Sequence, residues 1–214
     1  VNIVDTAQTV YELVTAHDQL FEGIGLCTLA RHEIDTGDSR PICLGSRRIP
    51  FSYLDSLDKH VKELLEKDII EESFSQWCSP INPRPKKDGS IRLTIDFREL
   101  NQCTRWDAWP MPRIDEILNK LVDAEWFSRV DLRSGYYNIP LEDKSKEKTA
   151  FRYRNKLYQF KRMPMGLVTA PHTFQRLMTS IFGDLSFVEC YLDDVVIFSK
   201  THSEHVDHLK EVLR

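Results

Sequence analysis

The stretch that most limits the possible folds is FVECYLDDVVIFS, residues 187–199. Two runs rich in Phe, Val, Ile and Tyr, all strand-preferring, flank the adjacent carboxylates Asp193 and Asp194. Two such runs around a short polar interruption predict a β-hairpin with the acids at its tip. Asp is common in turns because its side chain bonds nearby backbone groups, so a plain turn is one reading of the pair. A metal site is the other.

Asp131 bears on that choice. It closes the strand-like segment FSRVD, 62 residues before Asp193. If that strand lies beside the hairpin, three carboxylates meet at one sheet edge, and like charges so close are costly without a cation between them. Donors that are all oxygen suit Mg2+ or Mn2+. Two such ions about 4 Å apart stabilise the attacking and leaving oxygens in phosphoryl or nucleotidyl transfer. The residues alone leave open the alternative of three unrelated turn or surface aspartates.

The remaining pattern mixes helices and strands without a steady βαβ rhythm, which predicts an α+β class. A modest helix is expected near Val10–Leu20, then a polar, extended arm (HEIDTGDSRPI). Leu54, Leu57, Val61, Leu64 and Leu65 recur at spacings of three and four, predicting a helix from a Ser52 cap through Ile69. SPINPRPKKDGSIRLTIDF reads as two extended segments about a turn at Asp88–Gly89. Pro110 and Pro112 precede a helix with an apolar face of Ile114, Ile117, Leu118 and Leu121. A turn is expected at Ser134–Gly135. Pro171 suits the first turn of a helix carrying Phe174, Leu177, Met178 and Ile181. Thr201 and Glu204 form a capping box for a last helix with Val206, Leu209 and Leu213. The organisation expected is a lead-in arm over residues 1–45 and one domain over 46–214.

Five cysteines (Cys27, Cys43, Cys78, Cys103, Cys190) in odd number and without a C-x-x-C pair argue against a disulfide framework and a cysteine zinc site. They suit a reducing interior. The formal net charge is -4, but residues 84–113 hold seven Lys/Arg against four acids, where a solvated face and a phosphate site fit equally. No apolar run reaches the roughly 18 residues of a membrane helix. No signal peptide is visible, and a first residue of Val rather than Met suggests a piece of a longer chain.

Four segments in order carry a resemblance. YLDD at 191–194, VDLRSGYYNIPL at 130–141, KTAFRYRNKLYQFKRMPMGLVTAPHTFQRLM at 148–178 and KKDGSIRLTIDFRELN at 86–101 resemble the reverse transcriptases of long-terminal-repeat retroelements, the gypsy-like group above all. The resemblance runs from about Glu33 to the C-terminus. It implies the fingers and palm of a right-hand polymerase, with an antiparallel palm sheet backed by helices and no thumb. It implies an RNA-directed DNA polymerase using two Mg2+ or Mn2+ ions. Asp131 and Asp193 would hold both metals, with Asp194 as a weaker ligand and the Leu132 carbonyl as a further one. Lys86 and Arg92 would grip the triphosphate, a task that suits the Arg fork and the Lys point charge. Tyr136 would block a ribose 2′-OH, Gly166 would lie beneath the nascent base pair, and Met165 would belong to the same nucleotide site. Tyr191 would lie near the primer end and Gln175 near the template. Implied partners are an RNA or DNA template, a primer, dNTPs and the rest of a Pol polyprotein (protease, RNase H, integrase), with no membrane. The implied setting is a cytoplasmic virus-like particle or the nucleus.

Some residues depart from the family's pattern. Met165 stands for the usual Phe, Asn138 for a usual Gln, and Pro83 falls in an apolar strand whose ladder it cannot serve. The family continues into a thumb, a connection and RNase H, so weak, salt-sensitive synthesis is expected of this stretch alone. The alternative is a retroelement-derived domain, weak or inactive in catalysis, that binds nucleic acid or protein. An RNA-templated RNA polymerase is disfavoured by the bulk of Tyr136. His202, His205 and His208 with Glu204 and Asp207 read as one capped amphipathic surface helix rather than a transition-metal site. Trp106 and Trp109 near Arg105 suit either base stacking or packing.

Overall fold

The computed structural model of the chain describes residues 3–85, 91–132 and 134–214. In chain order the elements are α1 (Ile3–Ala16), α2 (Phe51–Glu66), β1 (Ile70–Glu72), β2 (Arg84–Pro85), β3 (Ile91–Arg92), α3 (Arg98–Cys103), α4 (Ile114–Leu121) and β4 (Trp126–Asp131). They continue with α5 (Asp143–Lys146), β5 (Phe151–Tyr153), β6 (Lys156–Phe160), α6 (Ala170–Phe182), β7 (Val188–Tyr191), β8 (Asp194–Ser199) and α7 (His202–Val212). The chain forms two compact units. Unit 1 comprises Val1–Ile24, Trp109–Gly135 and Phe174–Arg214; unit 2 comprises Gly25–Ala108 and Tyr136–Thr173.

Unit 1 is organised by an antiparallel sheet in the order β4-β8-β7. Its register runs from Trp126↔Ser199 to Asp131↔Asp194, and β7 pairs from Val188↔Ile197 to Tyr191↔Asp194. Val195, Ile197 and Ser199 alternate inward and are buried; Val188 and Cys190 join them from β7. α7 packs on β8 and β4, burying Val206 and Leu209. Its start is the expected capping box: Thr201 Oγ1 accepts from the Glu204 N–H, and the Glu204 carboxylate accepts from the Thr201 N–H. Its exposed face (Ser203, Glu204, Asp207, Lys210) fits the amphipathic surface helix expected, while His205 lies on the buried face, bonded to Ser128 and Ser199.

The face expected of α4 is present but uncovered. Ile114 and Leu118 stay 57% and 56% exposed, and no α4 residue is buried. The first helix lies earlier than its expected range, at Ile3–Ala16, and a 3-10 turn at Asp18–Phe21 takes up the end of that range.

Unit 2 holds a second antiparallel sheet, β1-β6-β5, with Ile70↔Phe160 and Phe151↔Tyr158 in register. Phe97, Phe151, Phe160, Ile139, Leu141 and Met163 form its core. α2 begins at Phe51, one residue before the expected cap. Pro50 takes the cap position with φ -58, and no side chain caps the helix. α2 ends at Glu66 because Asp68 is left-handed (φ 54) and the Ile69 N–H donates to the Leu64 carbonyl. That closure turns Ile69 into the core instead of prolonging the helix.

Residues of the expected arm are woven into this unit. His32 bridges to Leu141, Ile34 is buried with its N–H donated to Ser145 Oγ, and Arg105 donates its N–H to the Asp35 carbonyl. The strand containing Pro83 keeps register on both sides, with Ile81↔Ile95 before it and Arg84↔Arg92 after it. The ladder is interrupted at Pro83 itself, as a residue with no N–H requires. The expected Asp88–Gly89 turn lies outside the described residues.

Candidate active site

The hairpin of unit 1 is tight. Tyr191 ends β7 and Asp194 opens β8 as its cross-strand partner, so Leu192 and Asp193 form a two-residue loop. Leu192 has φ 55, a conformation usually left to glycine at such a loop and costing a non-glycine residue about 1–3 kcal/mol. Asp131, the last residue of β4, lies directly across from Asp194 on the other side. Directly opposed residues share a sheet face, with Cβ atoms about 5 Å apart. Asp131, Asp194 and Tyr191 therefore stand on the open face, with Asp193 one residue away in the loop. Arg129, two residues before Asp131 on that face, pairs with Asp194 through Nε–Oδ1 at 3.3 Å. Sequence reasoning passed over Arg129; the period of two along β4 was the available signal.

Gln175 holds this loop from behind. It is 2% exposed; its Nε2 donates to the Cys190 carbonyl and its Oε1 accepts from the Leu192 N–H, both at 3.0 Å. Those two bonds bracket Tyr191 and fix the strained residue beside Asp193. The template contact expected of Gln175 does not fit this burial, because both ends of its amide are spent on the hairpin backbone. The Leu132 carbonyl accepts from the Gly135 N–H at 3.0 Å, which leaves its second lone pair. Gly135 is required for space: a Cβ there would stand 2.9 Å from Phe174 Cζ. Cys190 is an inert neighbour, since burial, with Glu189 adding, pushes its thiol up to about 12.

Among the described residues no three His, Cys, Asp or Glu side chains form a ready metal cage. The donors present fit Mg2+, which binds through one or two carboxylates plus substrate phosphates rather than through an all-protein cage. Two carboxylates in cross-strand register, a third beside them and a carbonyl with a spare lone pair make such a partial, oxygen-only set.

Unit 2 carries the residues expected at the nucleotide. Arg92 is exposed at the end of β3, and Tyr136 is half-buried in a 3-10 turn (Gly135–Asn138). Met165 is 51% exposed, and Gly166 has φ 98, which only glycine adopts freely. Lys86 lies outside the described residues. The loop of Met165 and Gly166 is strapped to α3: Asn101 Nδ2 donates to the Gly166 carbonyl (2.8 Å) and its Oδ1 accepts from the Val168 N–H (3.0 Å). Beside it runs a polar groove of about 400 Å3 lined by Arg47, Arg84, Arg98, Asn82, Asn101 and Asp96. Asp96 accepts from Arg98 Nε and Nη2 (2.9 and 2.8 Å) and from Arg47. The Arg98 guanidinium, with Arg47 adding, holds its carboxyl well below the usual carboxylate range. Sequence reasoning found the segment TIDFRELN but not this groove, because Arg47 joins it from 49 residues away. Trp106 remains 74% exposed in a T-shaped contact with His172, whereas Arg176 covers Trp109.

Comparison with known proteins places this geometry. The protease–reverse transcriptase of prototype foamy virus superposes with a TM-score of 0.91 at 26% identity, over 98% of this chain and 29% of that one. A foamy viral protease–reverse transcriptase crystallised with double-stranded DNA gives 0.91 at 25% identity, over 100% and 38%. The fold is thus that of retroviral reverse transcriptase fingers and palm, helices with antiparallel sheets. The family model "Reverse transcriptase (RNA-dependent DNA polymerase)" matches residues 84–214. The Drosophila melanogaster Pol polyprotein of transposon 412 is 35% identical over 89% of this chain, and the Schizosaccharomyces pombe Tf2-3 polyprotein 34% over 78%. The chain belongs to the reverse transcriptase family. It spans 16% and 13% of the length of those two relatives.

Proposed function

We propose that the protein this chain represents is an RNA-directed DNA polymerase that adds deoxynucleotides to a primer 3′-OH. The observation that carries the reading is the pairing of Asp131 with Asp194 across β4 and β8, with Asp193 in the adjoining two-residue loop. Reverse transcriptases are generally divalent-metal dependent. Asp131, Asp193, Asp194 and the Leu132 carbonyl would hold two Mg2+ or Mn2+ ions, which supply charge neutralisation and a lowered pKa for the attacking hydroxyl. Arg129 shields the carboxylates from one another when substrate is absent. Tyr191 flanks the primer end on the same open face.

Arg92, with Lys86, binds the triphosphate through charge-assisted hydrogen bonds. Met165 and Gly166 support the nascent base pair, and Tyr136 sterically excludes a 2′-OH. The groove of Arg47, Arg84 and Arg98 receives the template backbone, with Asp96 holding two of these cations in fixed orientation. Template, primer and dNTPs are the substrates, and the surrounding polypeptide is a Pol polyprotein like those of the relatives.

Primer extension on oligo(dT)–poly(rA) with dTTP and Mg2+ or Mn2+ tests the reading. Extension by the unmodified chain is expected, with a loss of about a thousand-fold in Asp193→Asn, the equivalent of about 4 kcal/mol in the barrier. Equal extension by Asp193→Asn contradicts it, and ribonucleotide incorporation as efficient as that of dTTP removes the role given to Tyr136.

A further inference from the structure

Two of the five cysteines, far apart in sequence, are strand neighbours in unit 2. Cys43 and Cys78 face each other in an isolated parallel bridge. The Cys78 N–H donates to the Ile42 carbonyl (2.9 Å) and the Leu44 N–H donates to the Cys78 carbonyl (2.8 Å), so Cys43 is centred opposite Cys78. Directly opposed residues of neighbouring strands project from the same face. Adjacent strands lie about 4.8 Å apart, inside the Cα separations of about 4.4–6.8 Å that a disulfide spans.

We propose that Cys43 and Cys78 form a site of reversible oxidation, closing a disulfide between the extended arm and the bridged segment at Cys78–Ser79. The two thiols divide the work. Cys43 is exposed and meets the oxidant; Cys78 is buried, with the Cys43 thiol beside it. Burial first, and then the adjoining Cys43, raise the Cys78 thiol above its ordinary value, so Cys78 acts second.

With a small-molecule disulfide such as oxidised glutathione, the Cys43 thiolate attacks one sulfur. It forms a mixed disulfide and releases one glutathione thiolate. Cys78 then attacks the Cys43 sulfur as its own proton leaves, the mixed S–S bond breaks, and the second glutathione departs. Two protein thiols and one oxidised glutathione become one protein disulfide and two reduced glutathiones.

The bond would fix the arm to the core. Ser79, next to Cys78, donates its N–H to the Ala150 carbonyl and bridges to Phe151 of β5. Arg47, four residues beyond Cys43, reaches Asp96 at the polar groove. Oxidation therefore ties down the segment that delivers Arg47.

The test is to incubate the native chain with oxidised glutathione, quench with acid, and map disulfides by peptide mass spectrometry. The expected product is a Cys43–Cys78 cross-linked peptide 2 Da below the sum of its parts, with Cys27, Cys103 and Cys190 free. Closing this loop should raise the Tm by roughly 5 °C. The rise should disappear in Cys43→Ser, whose exposed position makes folding safe, and on adding dithiothreitol. A lasting glutathione adduct on Cys43 with Cys78 still free, or cross-links that pair Cys43 with Cys27 or Cys103 instead, would overturn the proposal.

Discussion

The sheet β4-β8-β7 and the sheet β1-β6-β5 are built alike, three antiparallel strands each, yet they use their faces differently. β5 and β6 bury Phe151, Tyr153, Tyr158 and Phe160. β4 alternates half-buried and exposed residues, and its exposed set is Phe127, Arg129 and Asp131. Each sheet buries one face, with Val188, Cys190, Val195 and Ile197 doing so in the first. The first also sets paired carboxylates and a loop with the positive φ of Leu192 on its open face, a conformation that costs stability. Stability and chemistry are therefore carried by different residues, and substitutions should separate them.

Phe151→Ala should show the largest effect on folding, a loss of about 3–5 kcal/mol from a fully buried ring. Denaturant unfolding measures it, and a loss below 1 kcal/mol would blur the contrast between the sheets. Acid should act on unit 2 as well. His32 is buried against Thr173 and Thr169, and burial lowers it from 6.5 to about 4 despite the opposing charges of Asp107 and Glu33. The unfolded chain thus takes up the proton first. Stability is full above pH 6.5 and declines as the pH falls toward 4, by about 3 kcal/mol in all. Urea midpoints across that range should track the decline, and His32→Gln should flatten it.

Gln175→Ala should sharpen the comparison from the other side. Removing the bonds to Cys190 and Leu192 should lower primer extension about 10–100-fold, as loss of a group that orients metal ligands does. Gln175→Glu, which cannot donate to the Cys190 carbonyl when ionised, should recover only part. An unchanged rate in both would remove Gln175 from the support of the loop. The smallest effect belongs to the α7 cap, where Thr201→Ala should cost about 1 kcal/mol in thermal unfolding and leave catalysis alone.

Much of this was legible in the residues. The hairpin, its acid tip and the α7 capping box follow from period and spacing, because each is set within a few neighbouring positions. The motifs carried the family. What escaped has a common cause. The inward turn of Gln175 and the arrival of Arg47 at Asp96 depend on contacts across 15 to 49 residues, which local pattern does not encode. The reach of Arg154 to Asp58, across 96 residues, ties the β5–β6 hairpin to α2 and was also unforeseen. The start of α2 was missed for a local reason, since Pro50 can open a helix without the side-chain cap that Ser52 appeared to supply.

The central claim is that Asp131, Asp193 and Asp194 together hold divalent metal over the nucleotide. Its most direct measurement is a Mn2+ titration followed by electron paramagnetic resonance, with primer–template and dTTP bound. The account predicts two Mn2+ per chain in the native protein and the loss of at least one in Asp131→Asn, with the fold intact by circular dichroism. The same stoichiometry and affinity in both proteins would contradict it.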